Sequence, residues 1–412
     1  MKSIIQRLKW LLNNLITVLV GLFIKRDTSI WLFGSWMGQR YADNPRALFQ
    51  FLHANKEHYN INRVVWVTNE KSICKKLNSQ GYQCYMIHSK EGIYYHFKAG
   101  VHVICNMYDN MNGYFGDILG RFSHGAIKIQ LWHGIGIKAV ANMRKSTGHH
   151  RSWIFRYLKY VLDSPLFFPG GWNRCYWLVA GSENRRVVEK DFGVYDESRI
   201  IYATYPRFLN PLVLFEDEKK YCDLINQSKE TGYSTILYLP TFRAKYENYI
   251  SPSVINGFQD FLLNNKILWI QKQHLAAINS PYTPDGDNFV MLPPDFDVNL
   301  ILHNMDIVIS DYSSVITDSI YLYKKSMNYI PDYHYYETED RGFVADFDLY
   351  NPGWHVYNPE DLFKVITEIL AITDDELVKR RYQVSREKLI GSAHYDYDLI
   401  VKKILIAIKE KK

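Results

Sequence analysis

Several short stretches carry side chains suited to holding and transferring an anionic group. Residues 305–315 read MDIVISDYSSV: an apolar run ends in Ser310 and Asp311, and Tyr312, Ser313 and Ser314 then precede a helical pattern at Val315, Ile316 and Ile320. A strand that stops, turns and opens a helix presents unpaired N–H groups, hydroxyls and the positive end of the peptide dipoles, a combination that suits phosphate. An ordinary helix cap accounts for the same residues without a ligand. Residues 131–138 read LWHGIGIK and set His133 beside Gly134 and Gly136. An imidazole at a strand end suits a general base or an anion ligand, and glycine lets a backbone come close to what it binds. A structural loop histidine is the plain alternative. Pro240, Thr241 and Arg243 close the run STILYL, and Lys272 and His274 close KILWIQ. Their hydroxyl, guanidinium, amine and imidazole fit a phosphate, although for each stretch alone a surface turn is the favoured reading.

The elements that must position these residues alternate. Strands are expected at 29–33, 63–68, 101–105, 127–132, 176–182 and 200–204, with a helix over 44–55 that has Pro45 in its first turn. Near-continuous apolar strands separated by helices indicate parallel sheets covered on both faces. Residues 210–233 carry EDEKK and read as a linker with some helix. The alternation restarts with strands at 234–240, 266–272, 289–292 and 306–310, and helical patterns close the chain at 360–371, 375–389 and 397–411. In such sheets the strand ends line one edge and face a ligand crevice. His133, Arg243, His274 and Ser313/Ser314 all follow strands, so they are expected to share one site. Arg207, in Tyr205–Pro206–Arg207, falls where the chain crosses between the two units.

With 412 residues the chain exceeds one core, and 47% hydrophobic with 22% charged residues is a globular balance. A net charge of +6 suits anionic lipid or a phosphorylated substrate and is too small to indicate nucleic acid. The five cysteines lack zinc-ligand spacing and read as reduced core residues. Residues 1–26 combine Lys2, Arg7 and Lys9 with an apolar segment over 10–24 that is interrupted by Asn13 and Asn14. Shorter than a bilayer span of ~20 apolar residues, it reads as an amphipathic helix lying on an anionic membrane. A helix packed on its own protein is the alternative. Residues 138–159, with Arg144, Lys145, Arg151, Trp153, Phe155, Arg156 and Lys159, are a second candidate membrane contact.

The motifs LWHGIGIK, YPR, LPTFR, the Lys-x-His of 272–274, DVNLIL, ISDYSSVITDS and EDRGFVADFD resemble, in that order, those of the CDP-glycerol glycerophosphotransferases of teichoic-acid and capsule synthesis. SDYSS with Asp318 seven residues after Asp311 carries most of the specificity. The resemblance implies an α/β, GT-B-like architecture: two doubly wound Rossmann-type domains facing a cleft, with an N-terminal amphipathic membrane helix. The expected divisions are 1–26 (interfacial helix), 27–210 (acceptor domain), 211–395 (CDP-donor domain) and 396–412 (basic helix). The resemblance also implies a monotopic enzyme on the cytoplasmic face of a bacterial plasma membrane. Such an enzyme transfers a polyol phosphate from a CDP-activated donor to a lipid-linked or polymeric acceptor and releases CMP. By position, His133 and His274 match catalytic candidates. Gly134, Gly136, Arg207, Pro240, Thr241, Arg243, Lys272, Ser313, Ser314 and Asp318 match positions that hold the CDP-polyol. No Asp-x-Asp motif ends a strand, so no obligatory metal is expected; no cofactor is expected either. Ile135, Gly136 and Leu275 replace residues common in the family. CDP-glycerol, CDP-ribitol and, for a conventional GT-B glycosyltransferase, a nucleotide sugar therefore stay open as donors, as does a non-catalytic scaffold role.

Overall fold

The computed structural model describes residues 12, 14–108, 116–137, 171–209, 212–241, 250–272, 288–339, 342–343, 345–391 and 396–410. Arg243, His274 and the basic segment 138–159 lie outside them. Seven strands build the first sheet: β1 (Asp27–Phe33), β2 (Arg63–Thr68), β3 (Gln83–Met86), β4 (Ala99–Ile104), β5 (Ile127–Gln130), β6 (Tyr176–Val179) and β7 (Ile200–Tyr202). Their order is β3-β2-β1-β4-β5-β6-β7 and every pairing is parallel. Trp31 and Phe33 pack on one face of β1, Ile30 and Leu32 on the other, which is why the strand reads as an unbroken apolar run.

The second sheet joins β8 (Ser234–Leu239), β9 (Ile267–Gln271), β10 (Phe289–Met291), β11 (Ile307–Ser310), β12 (Lys325–Tyr329) and β13 (Trp354–Val356). Its order, β10-β9-β8-β11-β12-β13, is again all parallel. In both sheets the strand order reverses beside the first strand, between β1 and β4 and between β8 and β11. Such reversals open the crevice in which doubly wound folds bind ligands. The architecture is thus α/β and GT-B-like, with two lobes.

The lobes share a core. Tyr312, Ile316 and Ile320 of the second lobe cluster with Leu131, Ile135, Ala203 and Tyr205 of the first. The helix Asp375–Leu389 returns to the first lobe, where Gly181 lies so close to the Lys388 and Leu389 backbone that a Cβ there would overlap it. The last helix, Tyr397–Glu410, buries Ile400, Val401 and Ile404, and the Tyr397 hydroxyl donates to the Pro206 carbonyl at 2.9 Å. The expected linker contains a long helix, Glu216–Glu230. Its Glu218 accepts the Phe215 N–H at 2.8 Å and pairs with the buried Arg46 at 2.7 Å. Residues 14–22 are helical. All five cysteines are free thiols.

Candidate active site

The loop after β5 carries His133. Its Nδ1 lies 2.9 Å from the Cys105 carbonyl oxygen, and a carbonyl only accepts, so Nδ1 bears the proton and Nε2 is the basic nitrogen. Two indoles pack against the ring, Trp132 at 4.3 Å and Trp36 at 5.1 Å between centroids. The backbone around it is strained: Trp36, Met37, Asp43 and Trp132 adopt φ of 44°, 57°, 70° and 54°. Left-handed residues other than glycine cost on the order of 1–3 kcal/mol each and gather where function over-determines a conformation.

The second lobe meets this loop directly. A Cβ on Gly134 would overlap the Ser314 side chain, so glycine is required by contact. The Thr317 hydroxyl donates to the Ile135 carbonyl at 2.9 Å. Among the described residues no atom beyond its chain neighbours lies within 4 Å of a Cβ built on Gly136. Ser314 stands at the start of the helix Val315–Tyr321 without a side-chain capping bond. The Ser313 hydroxyl accepts the Val315 N–H at 3.5 Å, and the turn that leads into the helix is held by Asp311. This buried carboxylate accepts the Tyr312 N–H at 2.6 Å, the Thr241 N–H at 2.8 Å and the Thr241 hydroxyl at 2.5 Å. Pro240 and Thr241 are thereby held beside the SDYSS turn. The structure brings Gly134, Thr241, Ser313, Ser314 and Asp318 to the facing edges of the two sheets.

Arg207 lies at the centre, only 5% exposed. Its guanidinium pairs with Asp43 at 2.6 Å and Asp318 at 2.5 Å and donates to the His133 carbonyl at 3.0 Å. Burial disfavours its charge, but Asp318 and Asp43 outweigh this and raise its pKa. Burial lifts the Asp318 carboxyl to about 6, against the pull of Arg207 and with Asp43 adding to the rise. Arg207 and Asp318 thus engage each other across the lobes. Lys272 directly follows β9 and is buried, donating to the Phe296 carbonyl. Burial pushes its amine down to about 7, Arg40 adds to this, and Asp297 and Asp295 oppose it. Among the described residues no cluster of three or more His, Cys, Asp or Glu could hold a metal.

Trp36, Asp43, Asn44 and Asp117 also build the site and were not singled out in the sequence. Asn44 donates to the Trp132 carbonyl at 2.8 Å and accepts the Arg207 N–H at 3.2 Å. The Asp43 carboxylate accepts the Trp36 indole N–H at 3.2 Å, while its own N–H reaches Asp297 of the second lobe at 2.9 Å. Asp43 and Asn44 directly before Pro45 were the available signal, two polar residues crowded at a helix start.

A family model described as CDP-Glycerol:Poly(glycerophosphate) glycerophosphotransferase matches residues 15–391. The chain is 24% identical over 375 residues to a teichoic acid poly(glycerol phosphate) polymerase of Bacillus spizizenii, covering 88% of this chain and 89% of that one. It is 26% identical over 255 residues to the teichoic acid glycerol-phosphate primase of Bacillus subtilis, 58% of each chain. The solved structure of the wall teichoic acid polymerase TagF superposes with a TM-score of 0.70 at 17% identity, over 100% of this chain and 98% of that one. With the model match spanning both lobes and every motif of the cleft, the chain belongs to the CDP-glycerol:poly(glycerophosphate) glycerophosphotransferase family.

Proposed function

We propose that this chain moves glycerol phosphate from CDP-glycerol to the end of a glycerophosphate polymer or its lipid-linked primer and releases CMP, working at an anionic membrane surface. The observation that carries this reading is the meeting of the His133 loop with Ser314 across the lobes. An acceptor hydroxyl attacks the β-phosphorus, and His133 Nε2 takes its proton. The new O–P bond forms as the bond from the β-phosphorus to the bridging oxygen breaks, and CMP leaves with that oxygen. The Ser313 and Ser314 hydroxyls and the Lys272 ammonium offset the charge on the diphosphate, and Thr241 fixes the donor beside them. Arg207 and Asp318 hold the two walls at the spacing this geometry needs. His274 and Arg243, which lie outside the described residues, add an imidazole and a guanidinium to this reading by their place in the sequence.

The membrane part of the reading rests on the helix at 14–22. It turns its polar residues inward: Asn14 is buried and the Thr17 hydroxyl donates to the Arg121 carbonyl at 3.1 Å. Most of its apolar residues face out, with Leu19 49% and Leu22 62% exposed and Phe23, just beyond it, 90%, while Val18 is buried. A helix polar toward its own protein and apolar toward solvent suits a lipid interface. Among the described residues no helix is long and apolar enough to cross a membrane.

Incubation with CDP-glycerol, CDP-ribitol and a panel of UDP-sugars, each with a glycerophosphate primer, tests the donor. CMP release with CDP-glycerol and a product longer by one glycerol phosphate are expected. UDP release, or turnover confined to CDP-ribitol, would overturn this donor assignment.

A further inference from the structure

We infer that Asp117 is the positioning residue of His133, set one peptide unit behind the imidazole and needed for turnover, not for donor binding. The inference rests on the reading of His133 as the base. Asp117 is fully buried. Its Oδ2 accepts the Asn106 N–H at 2.7 Å and the Cys105 N–H at 2.9 Å, and its Oδ1 accepts the Met37 N–H at 2.6 Å. The Asn106 N–H and the Cys105 carbonyl belong to one peptide group, and that carbonyl is the acceptor for His133 Nδ1 at 2.9 Å. The order is therefore carboxylate, peptide, imidazole.

This order has electronic and steric consequences. A carboxylate on the N–H side of an amide pushes electron density onto its carbonyl, and chained hydrogen bonds strengthen one another by roughly 10–30% each. The Cys105 carbonyl then holds the Nδ1 proton more firmly, which keeps Nε2 basic. When Nε2 takes a proton, the ring's positive charge faces a carbonyl backed by a carboxylate. This is the service a buried Asp gives a catalytic histidine by direct contact, with a peptide placed between. The Met37 contact acts on the other side of the ring's environment, because Met37 follows Trp36, whose indole packs against the imidazole. A single carboxylate thus ties the loop after β1 to the loop after β4, and both touch His133. It also holds Met37 at a φ of 57°, where a side chain is strained. The space is closed as well: a Cβ on Gly34 would overlap the Asp117 carbonyl. Burial raises the Asp117 carboxyl to about 7 despite its three N–H donors, so the surroundings carry a real cost for keeping an acid there.

The test compares the full chain with Asp117→Asn, an isosteric change that turns one acceptor into an N–H donor facing N–H donors. Nitrogen NMR of the imidazole-labelled protein reads the His133 tautomer, calorimetry reads CDP-glycerol affinity, and CMP release reads kcat. In the wild type His133 is expected as the Nδ1–H tautomer. In Asp117→Asn a mixture of tautomers is expected, with kcat down about 10- to 100-fold, the scale of a group that orients a functional histidine, and donor affinity within about twofold. A wild-type His133 in the Nε2–H tautomer overturns the inference, whether or not the variant folds. So does a variant whose kcat stays within about twofold, or one that loses donor affinity in proportion to kcat, as general destabilisation would produce. A wild type that releases no CMP from CDP-glycerol sinks the donor assignment instead, and leaves the tautomer measurement to judge Asp117.

Discussion

Arg207 points its guanidinium at two carboxylates inside the protein. Removing one member of a buried ion cluster typically costs ~3–5 kcal/mol, because the remaining charges lose their partner. Arg207→Ala is therefore expected to lower unfolding stability by about that much in denaturant titration, and Arg207→Lys by less. Arg207 was legible as a residue at the domain crossing, but Asp43, some 160 positions away in the chain, was not legible as its partner. Residue type reveals a charge, and only tertiary contact reveals what neutralises it.

Lys272 makes a second prediction at this scale. With its amine at about 7, the apo protein loses the ammonium as pH rises through neutrality. If the ammonium holds the diphosphate, CDP-glycerol binding should weaken by up to about tenfold per pH unit above 7. Lys272→Arg keeps its charge and should flatten that profile in calorimetry from pH 6 to 9. The same depressed pKa means the unfolded chain binds the extra proton between about 7 and the ordinary lysine value. Folding stability from this group therefore rises with pH across that window.

Among the elements, apolar strands announced themselves and polar ones did not. β2 and β8 were readable from their sequence runs, whereas β3, β12 and β13 were not. β12 reads KSMNY, yet Ser326 and Asn328 are buried, with partners elsewhere for the serine and for the asparagine's amide nitrogen. Ser326 meets the Tyr382 hydroxyl at 2.9 Å, and Asn328 donates to the Asp311 carbonyl at 2.6 Å. Tyr382→Phe removes that hydroxyl and leaves the Ser326 N–H with no acceptor, at an expected cost of ~1–3 kcal/mol in thermal or chemical unfolding. Gln83 and Tyr85 likewise give β3 no alternation that a pattern search can follow.

The helix at 14–22 gives a prediction of its own. Leu19→Glu with Phe23→Glu should abolish binding to anionic vesicles. Surface changes of this kind typically shift stability by only ~0.5 kcal/mol, so the fold should hold. Retained vesicle binding in co-sedimentation would remove the helix from the membrane contact. Sequence periodicity led to the expectation of an amphipathic helix here, without saying which face meets the protein. Thr17 contacts Arg121, and Asn14 and Val18 are buried.

At the scale of the molecule, the two lobes are joined by charge, hydrogen bonds and a shared apolar core. The pair Arg207–Asp318, the bond from Asp43 to Asp297 and the close approach of Gly134 to Ser314 all cross the same gap. The two-unit architecture was legible because each unit repeats the alternation of strand and helix. The facing of the sheet edges rested on topology, since strand ends in doubly wound sheets converge on a reversal point. The return of the final helices to the first lobe was hidden, as nothing local in Tyr397–Glu410 names its partner.

The central claim is that one phosphate group is held between the His133 loop and the Ser313–Ser314 turn. The most direct measurement is a structure of the His133→Ala protein with CDP-glycerol bound. The β-phosphate is expected in that gap, with a Ser313 or Ser314 hydroxyl within about 3 Å of a phosphate oxygen and the vacated imidazole position facing the phosphorus. A diphosphate bound away from both loops, with the gap empty, would contradict it.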